Sequence, residues 1–288
     1  MEAVNNYSIK QKWNSYKKDP LSLLLFTAVS SAALIIIGLL ILLIGYILIK
    51  GIPNLTPEIF QWEYTRKNVS MMPAIINTLV MTLLSLIIAA PLGIFSAIYL
   101  AEYAKRGNKF VTLIGITSET LAGIPSIVYG LFGYLMFSSA LNFGYSMLSG
   151  ALTLSIMVLP TIMRTTEEAL KSVPDSYREG SFALGAGKLR TVFKVILPPS
   201  MPGILSGIIL SIGRMVGETA ALIYTAGTAA GISQSLMSSG RTLSVHMYAL
   251  LSEGLYMEQA YATAVVLLVM VSGINFTSSL LAKKLVKR

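Results

Sequence analysis

The sequence predicts an all-α integral membrane protein with six transmembrane helices. Of its 288 residues, 54% are hydrophobic and only 12% are charged, whereas a soluble domain carries about 25% charged residues. Apolar stretches also recur that reach the roughly 20 residues which a helix needs to cross a bilayer. The predicted spans are Leu21–Ile49, Ala74–Leu100, Phe110–Ser138, Met147–Met163, Gly203–Ala226 and Ala260–Ala282.

The composition of two connections between these spans predicts their structure. Asn142-Phe143-Gly144-Tyr145 has the composition of a turn and separates the third span from the fourth. The segment after the fifth span, residues 227–258, is long and partly apolar, which makes it a candidate for re-entry into the membrane.

The basic residues predict the orientation of the chain. They concentrate in the N-terminal tail, between spans two and three, between spans four and five, and at the C-terminus. Because basic residues near membrane spans favour the cytoplasmic side, we expect both termini to be cytoplasmic, in agreement with an even number of spans. The opposite side carries only Lys50, Arg66, Lys67 and Arg241.

Composition argues against several other classes of protein. The formal net charge is +9, but the basic residues are spread among loops, so we expect no nucleic-acid partner. The chain has no cysteine, which excludes disulfides and thiolate metal sites. His246 is the single histidine, in a predicted outer loop, and no metal site is expected.

The largest segment on the predicted cytoplasmic side, residues 164–202, has the pattern of two short helices joined by a bend. Ser176 and Glu179 have the Ser-x-x-Glu spacing of a capping box. Gly185 allows a sharp bend after the first helix. The apolar residues around the bend recur at helical spacing and predict one stripe: Phe182, Leu189, Phe193 and Ile196.

This segment resembles the signature loop of ABC importer permeases, which reads Glu-Ala-Ala, three residues, Gly, nine residues and Ile-x-Leu-Pro. Here Glu179-Gly180-Ser181 is followed after three residues by Gly185, and after nine more by Val195-Ile196-Leu197-Pro198. The resemblance implies type I ABC importer permease architecture, with a loop that docks into an ATP-binding subunit and transmits its closure. The residues carried over to this docking role are Glu179, Gly180, Ser181, Gly185, Leu197 and Pro198.

The resemblance also implies a division of the chain into regions. The permease core, with five spans, is expected to run from 73 to 282 and to contain the cytoplasmic coupling loop 164–202. The remaining regions are a cytoplasmic tail (1–20), the first span with its external loop (21–72) and a second cytoplasmic tail (283–288).

Two charged residues, Arg214 and Glu218, lie inside the fifth predicted span. They are four residues apart, which places both on one face of a continuous helix. Charges at membrane depth cost about 3 kcal/mol, so they usually pair or line an aqueous path. A guanidinium matches the oxygens of a phosphate, and a nearby carboxylate would keep binding weak enough for release. The alternative is a pair that locks the helix against a neighbour. Gly213 and Gly217 flank the pair and would permit close helix approach.

Two further charges accompany the spans. Arg164 ends the fourth span, where it either sets topology or extends a positive path toward the cytoplasm. Glu119 lies within the third span, and we expect a structural role for it, in a pair with an arginine or with a partner permease.

Three motifs narrow the resemblance to the phosphate-specific branch, and to its A-type permease. They are the runs Gly-Ile-Pro-Ser-Ile-Val-Tyr-Gly at 123–130, Arg-Thr-Thr-Glu-Glu at 164–168 and Gly-Arg-Met-Val-Gly-Glu-Thr at 213–219. The resemblance implies a membrane permease subunit of an ATP-driven phosphate importer, in the cytoplasmic (inner) membrane of a prokaryote. It also implies that Arg164, Arg214 and Glu218 match positions important for phosphate passage.

The partners implied are a homologous second permease, a dimer of ATP-binding subunits and an extracytoplasmic phosphate-binding protein. No cofactor is expected in this chain, and ATP with Mg²⁺ would bind the partner ATPase. Gly185-Ala-Gly-Lys-Leu189 is not a phosphate-binding loop, because Phe182 occupies the position of its first glycine and Leu189 that of its hydroxyl residue.

Three alternatives remain open at this point. The chain could carry another oxyanion, namely sulfate, molybdate or tungstate. It could be a transport-linked membrane sensor or scaffold. An intramembrane enzyme is the third, although the sequence offers no evident arrangement of nucleophile and base, and we expect no catalytic residues.

Overall fold

The computed structural model describes residues 19–105, 107 and 109–286. The chain divides into two compact units, Met1–Lys50 and Gly51–Arg288. Most of the predicted N-terminal tail and the last two residues of the chain lie outside the described residues. Within the described residues there are helices, turns and bends but no strand.

The described part of the first unit is helix α1, Pro20–Gly51, whose last residue already belongs to the second unit. It carries no charge before Lys50, and at 1.5 Å per residue its 32 residues are about 48 Å long. This length exceeds the roughly 30 Å of a bilayer core. The predicted first span, Leu21–Ile49, is therefore confirmed as a helix long enough and apolar enough to cross a membrane.

Among the described residues, the second unit contains ten further α-helices, preceded by two short 3-10 helices, Ile52–Asn54 and Pro57–Phe60. The α-helices are α2 (Met72–Ile98), α3 (Lys109–Ala122), α4 (Ser126–Gly133), α5 (Met147–Lys171), α6 (Asp175–Ala183), α7 (Lys188–Thr191), α8 (Leu197–Gly217), α9 (Ala220–Thr225), α10 (Leu243–Glu253) and α11 (Met257–Val286). Turns of π-helix extend α2 through Tyr99–Tyr103, α4 through Tyr134–Ala140 and α7 through Val192–Ile196.

Helices α2, α5 and α8 form the centre of this unit. Small residues allow the close approach that helix pairs in membranes favour, since a Cβ at Gly93 would meet Ile162 and one at Gly207 would meet Thr165. The Ser155 hydroxyl of α5 donates a hydrogen bond to a carbonyl of α2. The buried residues packed between these helices include Met81, Ala89, Leu154, Met157, Val158, Ile162 and Met215.

The third predicted span is not one straight helix. Helices α3 and α4 meet at an angle of 104° across residues 123–125. Pro125 caps α4 and has no N–H to continue the helix of α3. At the bend the Leu121 carbonyl accepts from the Ile124 N–H at 3.1 Å and also from the Tyr129 hydroxyl at 2.8 Å. Among the described residues, five helices are long and apolar enough to cross a membrane, or six if this bent pair counts as one span.

The fifth predicted span, Gly203–Ala226, is also interrupted. Helix α8 ends at Gly217, and Glu218 has an extended backbone with ψ 128° before the short helix α9 begins. The Glu218 side chain accepts a hydrogen bond from the Ala221 N–H at 3.1 Å, and the Glu218 carbonyl accepts one from Ser244 at 2.5 Å. These bonds replace helical ones that the break removes.

The two connections noted in the sequence are ordered. The predicted turn between the third and fourth spans is confirmed, with Asn142 at φ 55° and Gly144 at φ 61°. In segment 227–258 the chain is irregular up to α10, whose 11 residues are too few to span a bilayer. Asn77 of α2 holds the irregular part, since its amide donates to two carbonyls of this segment and accepts the Ser233 N–H.

His246 does not lie in a loop, as the sequence suggested, but is fully buried in α10. The Tyr64 and His246 rings pack edge to face, and the Arg241 guanidinium lies over the Tyr64 ring, 4.6 Å from its centre. Burial, with a smaller contribution from the Arg241 charge, lowers the pKa of His246 to about 3. The imidazole is therefore neutral in the folded protein at every physiological pH.

We expect the protein to lose stability as the pH falls below 6.5. The unfolded chain binds a proton at His246 with a pKa near 6.5, while the folded chain does not bind it until about pH 3. Folding stability is complete above pH 6.5 and falls by about 2 kcal/mol at pH 5. The measurement is the apparent melting temperature in detergent between pH 7.5 and pH 5. His246→Gln cannot titrate and should flatten this dependence, so an equal slope in both proteins would contradict the assignment.

Candidate translocation path and coupling loop

Arg214 lies in the last turn of α8 with its side chain half-buried. No ion pair or hydrogen bond of its guanidinium occurs among the described residues. An unpaired guanidinium in a membrane-embedded helix retains all five of its donors for an anion.

The sequence predicted that Glu218 and Arg214 share one helical face, and this prediction is wrong. The helix breaks after Gly217, so the two residues do not share a helical face, and the buried Glu218 carboxylate binds the Ala221 N–H instead. Gly213 permits the expected close approach, because a Cβ there would lie 3.3 Å from Asn275 of α11. Gly217 has no atom of another element within 4 Å of such a position, so its predicted packing role is wrong.

Arg164 and Glu119 form an ion pair between α5 and α3. The Arg164 Nη1 lies 3.4 Å from the Glu119 carboxylate, and its Nε lies 3.2 Å from the carboxylate of Glu168. Glu119 therefore pairs with an arginine, which is one of the two expected arrangements. Both sides of this network are largely exposed, and the positive charge of Arg164 is balanced in this conformation.

The packing of α5 on α8 relates the two arginines. Thr165 packs on Gly207, and Arg214 is seven residues further along α8. At 1.5 Å per residue this separates the levels of Arg164 and Arg214 by about 10 Å along the helix axes. The two charges lie at different depths, and the structure does not bring them into one site.

The predicted coupling loop, residues 164–202, contains the short helices α6 and α7, with Gly185 in the bend between them. Gly185 has φ 77°, a left-handed conformation that favours glycine, which confirms the predicted bend. The Ser181 hydroxyl lies 2.8 Å from that of Thr191, and so it joins α6 to α7 across the bend. The signature of the importer permeases has alanine at the position of Ser181, and this contact gives a physical reason for serine there.

The outer surface of the loop is apolar and exposed. The predicted single stripe is wrong, because the bend separates its members: Phe182, Leu189 and Phe193 are exposed, whereas Ile196 is buried. Leu184, at the bend, is 90% exposed. Beside it lies a hollow of about 610 Å³ with Gly180, Ser181 and Gly185 in its lining. Exposed apolar residues of this size around a concave surface are typical of a protein-docking site.

The capping box predicted from Ser176 and Glu179 is not formed. Helix α6 begins one residue earlier, at Asp175, after Pro174 in an extended conformation, and no side chain caps it. Glu179 is instead exposed, and no hydrogen bond or ion pair engages it among the described residues. At the end of the motif, Leu197 is half-buried and Pro198 is exposed.

Sequence reasoning missed Glu102, which forms a nearly buried ion pair with Arg178. Their closest atoms are 2.6 Å apart, and the side chains are 7% and 17% exposed respectively. The Glu102 carboxylate raises the pKa of Arg178, which therefore stays charged. A signal was present, because Glu102 is an acidic residue directly after a charge-free span. No group of three or more potential metal ligands occurs among the described residues.

The family and the relatives that match this chain are all membrane components of transport systems. Residues 89–288 match the family described as "Binding-protein-dependent transport system inner membrane component". A probable ABC transporter permease, YqgI of Bacillus subtilis, is 37% identical over 200 residues, 68% of this chain and 67% of that protein. The phosphate transport system permease PstA of Mycobacterium leprae is 35% identical, over 70% of this chain and 67% of its own. PstA 1 of Mycobacterium tuberculosis H37Rv is 36% identical, over 72% and 68%.

Solved structures agree on the fold. A bacterial ABC transporter involved in alginate import superposes with a TM-score of 0.66 at 15% identity, over 95% of this chain and 99% of that one. The methionine ABC transporter MetNI, in an inward-facing conformation, gives a TM-score of 0.57 at 19% identity, over 75% and 94%. The chain has the type I ABC importer permease fold, and it belongs to the family of inner membrane components of binding-protein-dependent transport systems.

Proposed function

We propose that this chain is a membrane permease subunit of an ATP-driven importer of inorganic phosphate, and that it forms half of the translocation path. The observation that carries the substrate is the guanidinium of Arg214, which lies in a membrane-embedded helix and has no ion-pair partner in the part of the chain that the structure describes. Relatives named as phosphate transport permeases, at 35% and 36% identity, support the same substrate.

The chemistry of the path follows from how each charge is held. Arg214 offers several parallel N–H donors, which match the oxygens of a phosphate. Glu218 lies four residues away, and its carboxylate is retained by Ala221, so it lowers the local positive potential without occupying the guanidinium. Phosphate held by one arginine near a negative charge is bound weakly enough to leave, as passage requires.

Arg164 would act at a later stage of the path, about 10 Å from the level of Arg214. In this conformation Glu119 and Glu168 hold it. A phosphate that reached this level would compete with the two carboxylates for the guanidinium, so the residue would bind the anion only after rearrangement.

Energy would come from a dimer of ATP-binding subunits docked on the coupling loop. The exposed apolar residues around Gly185 and the free carboxylate of Glu179 support this role. A homologous second permease would complete the path, and an extracytoplasmic phosphate-binding protein would deliver the anion. Both termini would be cytoplasmic, ATP and Mg²⁺ would bind the ATPase, and this chain would perform no covalent chemistry.

Uptake of radiolabelled phosphate tests the substrate. Cells that lack this chain and cells in which it is restored are compared at micromolar phosphate, with unlabelled sulfate, molybdate or tungstate as competitors. Restored uptake that resists the competitors supports phosphate. Uptake that sulfate or molybdate abolishes would support another oxyanion, and uptake independent of the chain would support a sensor or scaffold.

Arg214→Lys should reduce phosphate uptake at least tenfold while the complex still assembles. A lysine retains the charge but loses the planar fork of donors, so the effect separates a ligand from a simple charge. Uptake and co-purification of the ATPase are the two measurements. Arg66→Lys, an exposed arginine of the external loop, is the control and should leave uptake unchanged. Normal uptake by Arg214→Lys would contradict the ligand role.

Gly185→Arg should release the ATP-binding subunit from the membrane complex. The substitution forces a side chain into a left-handed backbone position and places it on the docking surface. The matched control is Gly144→Arg, which also has a positive φ with open space around it but lies in the turn before α5. The measurement is the amount of ATPase that co-purifies with each variant. Equal amounts for both would contradict docking at this loop.

A further inference from the structure

The Arg178 guanidinium joins three helices of the second unit at one point. Its Nη2 lies 2.6 Å from the carboxylate of Glu102, in the turn that extends α2, and 2.9 Å from the Leu170 carbonyl in α5. Its Nη1 lies 2.8 Å from the Val173 carbonyl. Arg178 itself belongs to α6, the first helix of the coupling loop. One side chain therefore binds α6 to the ends of both α2 and α5.

This ion pair is more buried than the others among the described residues, and it ties the coupling loop to another helix, whereas the Arg164–Glu119 pair between α5 and α3 is largely exposed. Glu102 and Arg178 are 7% and 17% exposed, and they are 76 residues apart in sequence. By contrast, the Lys171–Glu167 pair lies along one helix, and its lysine is largely exposed. Exposed pairs contribute little, whereas removing one partner of a buried pair leaves an uncompensated charge.

Apolar packing surrounds the joint. Ile98 at the end of α2 packs with Leu170 and Val173, and with Val192 and Ile196 of the second half of the coupling loop. On its other side the pair borders a cytoplasmic groove of about 600 Å³, which is lined also by Lys105, Lys171 and Lys188. The joint is thus packed against apolar side chains on one side and borders a groove on the other.

Helix α2 connects this joint to the opposite end of the protein. Its 27 residues are about 40 Å long. At its beginning, Asn77 accepts the Ser233 N–H and Thr78 accepts the Leu243 N–H, so α2 holds the external segment and the start of α10. A displacement of the coupling loop that moves Glu102 also moves the helix that carries the external segment.

We propose that Glu102 and Arg178 are positioning residues that transmit movement of the coupling loop to α2, and through it to the external side of the path. This inference deepens the proposed function and rests on it. The coupling loop moves with α2 and α5 as one body while the pair is intact. Without the pair, ATP-driven movement of α6 no longer moves α2, and ATP is hydrolysed without transport.

The first test uses the complete complex in proteoliposomes, with phosphate uptake and ATP hydrolysis measured together. Glu102→Gln should retain the ATPase and its hydrolysis but raise the ATP consumed per phosphate at least tenfold. Glu102→Asp retains the charge and should restore most of the coupling. Glu167→Gln is the control, because that carboxylate pairs only within α5. An unchanged ratio of ATP to phosphate in Glu102→Gln would overturn the proposal.

The second test follows the helices directly and does not depend on the substrate. The chain has no cysteine, so spin labels at Tyr99→Cys in the end of α2 and Ala183→Cys in α6 report one distance. With Glu102 intact, this distance should be the same before and after ATP binding, and in Glu102→Gln it should change on ATP binding. A distance that changes with Glu102 intact, or that stays constant in both proteins, would overturn the proposal. If the unmodified complex failed to carry phosphate, only the proposed substrate would be contradicted. These distances would still test whether the Glu102–Arg178 pair makes α6 and α2 move together.

Discussion

The structure depends on the requirement that a buried polar group in a bilayer find its partner within the protein, because no water is available there. Two membrane-embedded segments break their helices, and at both breaks the freed groups are satisfied locally. The Tyr129 hydroxyl binds the carbonyl of Leu121 at the first break. At the second, Glu218 binds the Ala221 N–H and accepts from Ser244. Each break is a stable feature of the fold and not a frayed end.

Arg214 stands out against this background. The guanidinium carries a full charge at the end of α8, and the nearest acidic residue in sequence, Glu218, is engaged elsewhere. An unpaired charge at membrane depth costs about 3 kcal/mol or more, a cost that a passing anion would offset. The position of the helix break thus determines the chemistry, because a continuous helix would have let Glu218 neutralise the arginine.

Two other arginines of the second unit, Arg164 and Arg178, are both held by carboxylates, but they differ in burial. Arg164 lies in an exposed network with two carboxylates, an arrangement that exchanges partners at low cost. Arg178 lies in a nearly buried site with the Glu102 carboxylate, the more exposed Asp175 carboxylate and two backbone carbonyls, an arrangement that resists separation. The first suits a step in a path, and the second suits a mechanical connection between the coupling loop and the helices.

Sequence patterns predicted the helical spans and the bend at Gly185 because apolar length and glycine conformation are local properties. They did not predict the features that depend on contacts between residues distant in sequence. The break at Glu218 depends on Ser244, which lies 26 residues further along the chain. The partner of Arg178 is 76 residues away, and a single sequence gives no indication of that pairing. The predicted capping box does not form, because Pro174 already supplies the residue that precedes the first turn of α6.

The central claim is that Arg214 binds phosphate inside the membrane complex. The most direct measurement is the amount of radiolabelled phosphate retained by the purified complex with ATP and a hydrolysis-deficient ATPase subunit, after the binding protein has been removed. The complex should retain phosphate that excess sulfate does not displace, and Arg214→Gln should retain at least tenfold less of it. Equal retention by Arg214→Gln would contradict the claim and move the binding site to other residues.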